Sequence, residues 1–224
     1  MTEAAKLRYD EGCLAAHALN LIGDRWALLV VRELVFAPKR FQMIRAGLPG
    51  ITASVLSARL SQLVLAGVAS HDARLGVYAL TPLGQQLRGV LEALCRWALI
   101  APGHDPRRFI SPSALMISMG VNLQAARAAG ITARAGFVIG TEAFETDLRD
   151  ARLVTRAVAR PDAPFVLQGS GNALAIAVYG PLPLAALLAG APLPEGFDAG
   201  GLAVNGDQAA AQHFVDLFAL DPQG

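Results

Sequence analysis

One stretch of the chain combines signals for a capped helix, a hairpin and a last helix. Thr52 precedes a helical pattern over residues 53–66, and a threonine oxygen at that position accepts a hydrogen bond from a first-turn N–H. The runs V-A-S-H-D and V-Y-A-L-T flank A-R-L-G, which is typical of a β-hairpin. Thr81-Pro82 begins a helix through Trp97, since proline is favoured in a first turn. Few folds place these elements so close together in sequence.

Three more helices are predicted before this stretch. Apolar residues recur on one face of the first helix, at Leu14, Ala18, Leu21 and Ile22. Residues 25–34 are apolar on nearly all sides, which predicts a central helix, and Asp24 is expected to cap it. A third helix over residues 41–48 ends at the turn Pro49-Gly50. The order of elements predicts a winged helix-turn-helix, mainly α with a two-stranded wing.

In such a fold the second helix of the helix-turn-helix pair enters the DNA major groove, which is wide enough to admit it. Leu56, Leu60 and Leu63 lie along one stripe of this helix and are expected to face the core. The residues near the start of this helix that do not belong to the stripe are small or polar, or end in a guanidinium. They are expected to contact bases and phosphates. They are Thr52, Ser54, Val55, Ser57, Ala58 and Arg59.

Basic residues outside this helix extend the predicted interface with double-stranded DNA. Arg74 lies at the hairpin tip, and Lys39, Arg40 and Arg45 flank the first helix of the pair, where cations would hold phosphates. Any one of these residues taken alone is more simply an ordinary solvated residue, and Arg59 could instead pair with an acidic neighbour. Their arrangement in this order of elements favours DNA binding.

Composition and charge narrow the class of protein. A 54% hydrophobic and 17% charged composition argues against disorder. No uninterrupted apolar run is long enough for a membrane span, and the N-terminus does not resemble a secretory signal, so a cytoplasmic protein without a membrane partner is expected. Residues 1–103 hold eleven Lys and Arg against seven Asp and Glu, whereas residues 104–224 hold eight against eleven. A basic first half is consistent with phosphate contacts in that half alone.

Domain boundaries follow from a proline-rich stretch. Residues 101–113 contain three prolines and no apolar periodicity, so we predict domains at 1–103 and 113–224 with a linker at 104–112. The second half begins with a helical pattern over residues 113–129 and continues with alternating strand-like and helical runs. This pattern predicts an α+β domain, a sheet covered by helices on one side.

The second half shows no pattern of an active site. His104 and His213 do not stand beside a nucleophile with a plausible third partner, so an enzyme is not expected. The run G-S-G-N-A lacks the Lys-Ser/Thr that holds phosphates, and no cofactor is predicted. The two cysteines form no cluster with His at metal-ligand spacing, so no metal is predicted either.

The first half resembles a known family. The runs C-L-A-A-H-A-L-N-L-I-G-D-R-W-A-L-L-V-V-R-E-L, R-F-Q-M-I-R-A-G-L-P-G-I-T-A-S-V-L-S-A-R-L-S-Q-L-V-L-A-G-V and Y-A-L-T-P-L-G are similar to the HxlR family of MarR-like winged-helix regulators. The resemblance covers about residues 10–100. It implies a bacterial, cytoplasmic homodimer that regulates transcription from inverted-repeat operators. The dimer is expected to pair through the N-terminal and last helices, about 13–22 and 83–99. The hairpin carries fewer basic residues or prolines than is usual in the family.

The resemblance also draws attention to Cys13. Many family members carry a cysteine just before the first helix, and in some of them it senses oxidants or electrophiles. Such a role requires an exposed thiolate near cations or a helix N-terminus. Arg8 and Lys6 are close in sequence. The other interpretation is a packing thiol near the dimer interface, and Cys95 is expected to lie in the core.

The second half resembles another module at its end. The pattern L-L-A-G-A-P-L-P followed by G-G-L-A-V-N-G-D-Q-A-A-A-Q-H-F-V-D-L-F is similar to sterol-carrier-protein type 2-like domains, which implies an apolar ligand pocket. Candidate lining residues are Met116, Met119, Phe137, Phe144, Phe165, Leu187 and Phe218. Each taken alone is more simply a core residue. Two hypotheses follow: a dimeric regulator modulated by a small apolar ligand, or a hydrophobic-ligand carrier whose first domain only dimerises.

Overall fold

The structure, a computed structural model, describes residues 9–180 and 182–218. The chain divides into two units, Met1–Leu91 and Glu92–Gly224, and each is described by itself. The division falls within a helix, Leu87–Leu99, whereas residues 101–111 contain no helix or strand. The linker placed at 104–112 from sequence stays a prediction. Residues 6 and 8, near Cys13 in sequence, lie outside the described residues.

The first unit consists of short helices and a small sheet. Its helices are α1 (Leu14–Ile22), α2 (Ala27–Leu34), α3 (Phe41–Ala46), α4 (Ala53–Leu65), α5 (Pro82–Gln85) and the start of α6 (Leu87–Leu99). Its strands are β1 (Lys39–Arg40), β2 (Ala69–Asp72) and β3 (Val77–Leu80), in the order β1-β3-β2 with both pairs antiparallel. The predicted hairpin is thus present. The third strand was not predicted, because two residues are too few to show alternation.

Side-chain caps determine where two helices begin. Thr52 Oγ1 accepts a hydrogen bond from Val55 N at 3.3 Å, as predicted for α4. Thr81 Oγ1 accepts one from Gly84 N at 3.1 Å at the start of α5. The N-cap position of α2 is Trp26, so the prediction that Asp24 caps this helix is wrong.

The predicted last helix is divided into α5 and α6 at Gln86. Gly84 brings α5 close to the hairpin backbone, because a Cβ at this position would lie 2.1 Å from the Val68 oxygen. That approach depends on tertiary packing and leaves no signal in local sequence.

The core of the first unit lies between α2 and α4. Val30 and Val31 of α2 are fully buried, as a helix apolar on nearly all sides predicts. The stripe on α4 is buried as well, at Leu56, Leu60 and Leu63. Burial of this stripe leaves the opposite face of α4 to solvent.

The second unit is a five-stranded sheet with helices against it. Its strands are β4 (Ala133–Ile139), β5 (Glu142–Arg149), β6 (Arg152–Ala157), β7 (Phe165–Gly169) and β8 (Ala203–Gly206). Their order is β6-β5-β4-β7-β8; β4 and β7 are parallel, and the other pairs are antiparallel. The helices after the start of α6 are α7 (Pro112–Asn122), α8 (Ala125–Ala128), α9 (Gly171–Tyr179), α10 (Leu184–Leu188) and α11 (Gln208–Val215).

Burial alternates along β6, as expected for a strand that is covered on one face. In β6, Leu153 and Thr155 are buried, whereas Val154 and Arg156 are exposed. Helices α7, α9 and α11 contact the strands. The unit therefore mixes helix and sheet as predicted. The single helix predicted over residues 113–129 is interrupted, because Gln124 N donates to Leu217 O at 2.9 Å instead of continuing the helical pattern.

No single helix in residues 9–180 and 182–218 is long and apolar enough to cross a membrane; α1 and α2 pass that test only as a pair bent by 75°. No group of three or more His, Cys, Asp or Glu side chains in the same part of the chain could hold a metal ion.

Candidate nucleic-acid interface

Helix α4 presents a polar face to solvent. Thr52, Ser54, Ser57 and Ala58 are all exposed, while Val55 is half-buried at the edge of this face. The Thr52 and Ser54 hydroxyl oxygens lie 3.1 Å apart, so one donates a hydrogen bond to the other. The structure thus brings five of the six residues predicted on this helix to one accessible surface, which we call the α4 face. Hydroxyls and small side chains there allow close approach to a duplex.

Lys39 does not belong to this surface. Its side chain is 2% exposed and its Nζ lies 3.3 Å from Glu33 Oε2, on a side chain that is fully buried. The predicted role of Lys39 as a phosphate contact is therefore wrong, because a buried, paired ammonium does not reach a phosphate in solvent. Arg32 binds the other oxygen of the same carboxylate, with Nε 2.9 Å from Glu33 Oε1.

The cluster of Arg32, Glu33 and Lys39, which we call the Glu33 cluster, fixes the helix-turn-helix pair. Arg32 Nη2 also donates to the Gly47 oxygen at 2.9 Å, at the end of α3. A Cβ at Gly47 would lie 2.3 Å from Glu33 Oε2, so only glycine leaves room for the carboxylate. The cluster thereby joins α2, β1 and the end of α3, which precedes α4 by one short turn.

Arg59 forms an ion pair with an acidic residue, and most of its side chain is buried. Its Nη1 pairs with Asp24 Oδ2 and donates to Gln62 Oε1, and its side chain is 20% exposed. Among the described residues its Nε is buried without a hydrogen-bond partner. The pairing of Arg59 with an acidic residue, which the sequence left open, is present. The Arg59 side chain is therefore less accessible to DNA bases than the exposed side chains of the α4 face. That Arg59 reads a base stays a prediction.

The remaining basic residues are accessible. Arg40, at the N-cap of α3, and Arg45, in its last turn, are exposed, and Arg74 is exposed at the hairpin tip. Asp72 Oδ1 shapes that tip by accepting hydrogen bonds from Arg74 N at 2.9 Å and Leu75 N at 3.1 Å. Exposed guanidinium groups are suited to phosphate contacts. These assignments stay predictions.

Sequence reasoning missed Glu33, Gly47 and the role of Asp24. Glu33 had a signal, since it is a carboxylate within an otherwise apolar helix and is followed by Lys39 six residues later. Gly47 had none, because its necessity arises from a side chain on another helix. Asp24 interacts with Arg59 across 35 residues, which no local pattern reveals.

Cys13 lies in an accessible position. It is exposed at the N-cap of α1, where its side chain makes no capping hydrogen bond. Cys95, on α6, is half-buried rather than fully in the core. Exposure meets one requirement for a thiol that reacts with oxidants.

The predicted pocket residues of the second unit are buried core residues. All seven are 6% exposed or less: Met116, Met119, Phe137, Phe144, Phe165, Leu187 and Phe218. Phe214, which was not singled out, packs against three aromatic rings, with centroid distances of 6.2 Å to Phe137, 5.7 Å to Phe165 and 5.2 Å to Phe218. Three of the seven pack around the Phe214 ring, and Phe165 also borders a groove at one end of the sheet beside α11. That the seven line a ligand pocket stays a prediction.

The fold of the first unit and its α4 face define a helix-turn-helix protein. The family model described as HxlR-like helix-turn-helix matches residues 21–101. The uncharacterized HTH-type transcriptional regulator YvaP of Bacillus subtilis (strain 168) is 36% identical over 87 residues, which are 36% of this chain and 80% of YvaP. The chain belongs to the HxlR-like helix-turn-helix family of transcriptional regulators.

Two further comparisons show how far this similarity extends. The uncharacterized HTH-type transcriptional regulator Rv3095 of Mycobacterium tuberculosis (strain H37Rv) is 37% identical over 92 residues, which are 39% of this chain and 58% of Rv3095. The crystal structure of quinone-bound YodB from B. subtilis is 31% identical, covers 38% of this chain and 93% of YodB, and has a TM-score of 0.35. The family model ends at residue 101, so the resemblance of the second unit to sterol-carrier-protein type 2-like domains stays a prediction.

Proposed function

We propose that the protein is a DNA-binding transcriptional regulator that acts as a homodimer on an inverted-repeat operator. The observation that carries this proposal is the α4 face, exposed on a helix whose opposite stripe is buried, in a unit that also exposes Arg40, Arg45 and Arg74. A helix of this kind fits the major groove, and the three guanidinium groups fit the phosphates on either side.

Fluorescence anisotropy over a salt series tests DNA binding. The purified protein is titrated against duplex DNA from its own upstream intergenic region and against a scrambled duplex. Specific regulation predicts tight binding to the native duplex that weakens linearly in log affinity against log salt. Equal, weak binding to both duplexes would contradict recognition of that region and would favour a hydrophobic-ligand carrier whose first unit only dimerises.

Alanine substitutions separate base reading from phosphate contact. Arg59→Ala is expected to weaken binding to the operator by about 1–3 kcal/mol and to relax sequence preference if Arg59 leaves Asp24 to read a base. Arg74→Ala is expected to weaken binding to all duplexes about equally and to reduce the salt slope. An unchanged affinity in Arg59→Ala would assign this residue to the Asp24 pair alone.

Exposed apolar side chains on two helices support the homodimer. On α1, Leu14 is 86% exposed, and on α6 Leu94 and Trp97 are 45% and 66% exposed. Large apolar groups left exposed on a helix are typical of interaction surfaces. Leu94→Glu is expected to yield monomers in sedimentation, whereas the control Val154→Glu, at a residue with a similar exposed fraction on β6, is expected to leave the dimer intact. A dimer that survives Leu94→Glu would contradict pairing through α6.

A second candidate function is oxidant sensing by Cys13, favoured by its exposure at the start of α1. In this case diamide releases the protein from DNA, and Cys13→Ser abolishes that release. Cys95→Ser is the matched control and is expected to respond to diamide as the unmodified chain does. Release that persists in Cys13→Ser would exclude Cys13 as the sensor.

We also propose that a small apolar ligand bound by the second unit modulates DNA affinity. A ligand with unequal affinity for two conformations shifts their populations by that difference, and operator affinity changes with them. The measurement is operator affinity with and without ligand. An operator affinity that stays constant at saturating ligand would contradict modulation.

A further inference from the structure

The hairpin between β5 and β6 places two arginines side by side. Arg149 is the last residue of β5, Arg152 is the first residue of β6, and the two form a cross-strand pair. Residues directly opposite each other in an antiparallel pair have Cβ atoms about 4.5–5.5 Å apart. Only Asp150 and Ala151 lie between the two strands, so the short turn fixes this pairing. We call residues 149–152 the β5–β6 tip.

The backbone of the β5–β6 tip is strained. Asp150 and Ala151 have φ angles of 51° and 54°, and within residues 9–180 and 182–218 they are the residues other than glycine with positive φ. An alanine in this region brings its Cβ too close to the following carbonyl oxygen. Like charges directly opposite each other also destabilise a hairpin. The stability of the hairpin therefore does not explain the residues of the tip, and strain of this kind is common at functional sites.

The two guanidinium groups of the tip are accessible. Arg149 and Arg152 are both exposed, and neither forms an ion pair within the part of the chain that the structure describes. Arg156, further along β6, instead pairs with Asp147 and Glu145. Two guanidinium groups that lie side by side without a carboxylate favour an anion that accepts hydrogen bonds from both.

Positive charge is concentrated in this part of the chain. Residues 127–160 contain six arginines against four acidic residues, although residues 104–224 as a whole contain eight basic residues against eleven acidic ones. Arg134 of β4 is opposite Asp147 of β5, so alternation puts Arg134 on the same face of the sheet as the arginines of the tip. Neighbouring strands lie about 4.8 Å apart, so basic residues on three strands span about 10 Å. The sheet therefore presents a basic surface at this end.

We propose that the β5–β6 tip binds the phosphate backbone of DNA, with Arg149 and Arg152 as two phosphate contacts. This inference rests on the proposed function, because the duplex is the one that the first unit is proposed to bind. Guanidinium groups match the geometry of phosphate oxygens, and protein–DNA interfaces are much more positively charged than interfaces between proteins. A protein partner fits less well, since the centres of protein interfaces are depleted in charged residues and enriched in aromatic ones, and the tip contains no aromatic residue.

A salt series of duplex binding by the full chain, followed by fluorescence anisotropy, counts these contacts. The slope of log affinity against log salt falls in magnitude by about 0.9 for each phosphate contact that is lost. Arg149→Met combined with Arg152→Met is expected to reduce the slope by about 1.8 and to weaken binding to the native and the scrambled duplex equally, by about tenfold. Arg107→Met combined with Arg108→Met is the matched control. It removes the same charge from exposed side chains outside the tip, and the slope is expected to stay unchanged.

Two further variants distinguish the loss of charge from a loss of folding. Arg149→Lys combined with Arg152→Lys keeps both charges and is expected to retain the slope of the unmodified chain. Asp150→Asn removes the carboxylate of the tip, and asparagine tolerates positive φ, so binding to both duplexes is expected to tighten. A lysine variant with the same low slope as the methionine variant would contradict neutralisation of phosphates by the tip.

Sequence preference separates this inference from the proposed function. Equal slopes in the methionine variant and the unmodified chain would overturn the contact at the tip, while a retained preference for the native duplex would leave the regulator in place. Equal binding of the unmodified chain to both duplexes would contradict recognition of the upstream region, and a slope that still falls in the methionine variant would retain the contact at the tip. Absence of any duplex binding by the unmodified chain would overturn both.

Discussion

The ionic cluster around Glu33 in the first unit and the one around Arg156 in the second unit use the same chemical groups in different surroundings. The Glu33 carboxylate is fully buried between Arg32 and Lys39. Arg156 is half exposed on the open face of the sheet, where it pairs with Asp147 and with Glu145, whose side chain is buried but also accepts a hydrogen bond from Asp162 N. A buried charge depends on its partners because water cannot replace them, whereas water solvates an exposed charge that loses its partner.

The two clusters also differ in which elements of the fold they connect. The Glu33 cluster joins α2, β1 and the end of α3, so it helps to position the α4 face. The Arg156 cluster connects neighbouring strands that the β5–β6 ladder already joins. We therefore expect the first cluster to be required for the fold and the second to be replaceable.

Glu33→Gln is expected to have the largest effect. It leaves the Lys39 ammonium buried without its carboxylate, which costs about 3–5 kcal/mol when one partner of a buried pair is removed. The measurement is chemical denaturation of the full chain, with Glu195→Gln on an exposed loop residue as the control. Equal stability of the two variants would show that the buried pair contributes no more than an exposed carboxylate.

Gly47→Ala is expected to have the next largest effect. The new Cβ would lie 2.3 Å from Glu33 Oε2, so the carboxylate or the end of α3 must shift, at a cost of about 1–3 kcal/mol. Gly120→Ala is the matched control, because nothing lies within 4 Å of a Cβ on this exposed residue of α7 and alanine favours a helix. A Gly47→Ala variant as stable as Gly120→Ala would contradict the close approach.

Arg156→Met is expected to change stability far less than either variant in the Glu33 cluster. Glu145 keeps a hydrogen bond from Asp162 N at 2.5 Å, and Asp147 remains in contact with solvent. Thermal unfolding at low and high salt checks this expectation. A loss comparable with that of Glu33→Gln would mean that exposure does not distinguish the two clusters.

The smallest effect is expected at Asp105, which lies outside the helices and strands and is half-buried. The Arg107 side chain, and then its backbone N–H, hydrogen-bonds the carboxylate and lowers the pKa of Asp105 from 3.8 to about 2. Because the folded-state pKa is depressed, the stabilisation is present above pH 3.8 and is lost as the pH falls through about 2. An NMR titration of Asp105 is expected to show the low pKa, and Arg107→Met is expected to raise it. A pKa near 3.8 in the unmodified chain would contradict the pair.

Features that depend on residues close together in the chain could be predicted from the sequence. The Leu56, Leu60 and Leu63 stripe follows from helical periodicity, and the Thr52 cap follows from the chemistry of one side chain. Both are local. Burial of Lys39 and the pairing of Arg59 with Asp24 depend on residues brought together from different elements, so no local pattern indicates them.

The second unit shows the same division between local and long-range information. Strands β4 to β8 lie in the part of the chain for which alternating strand-like and helical runs were predicted, because such runs are local features. The predicted pocket residues are core, since Met and Phe have the same pattern in a packed core and in a cavity wall. The groove depends instead on where the sheet ends beside α11, which only the fold determines.

The central claim is that the α4 face binds DNA, and one pair of charge insertions tests it most directly. Ala58 on α4 and Ala209 on α11 are both exposed helix residues, and substitution of either by glutamate changes the net charge equally. Fluorescence anisotropy against the upstream duplex is the measurement. We predict that Ala58→Glu weakens binding by at least about tenfold, because like charges then meet at the duplex, and that Ala209→Glu leaves it unchanged. Equal affinities of the two variants would contradict the account.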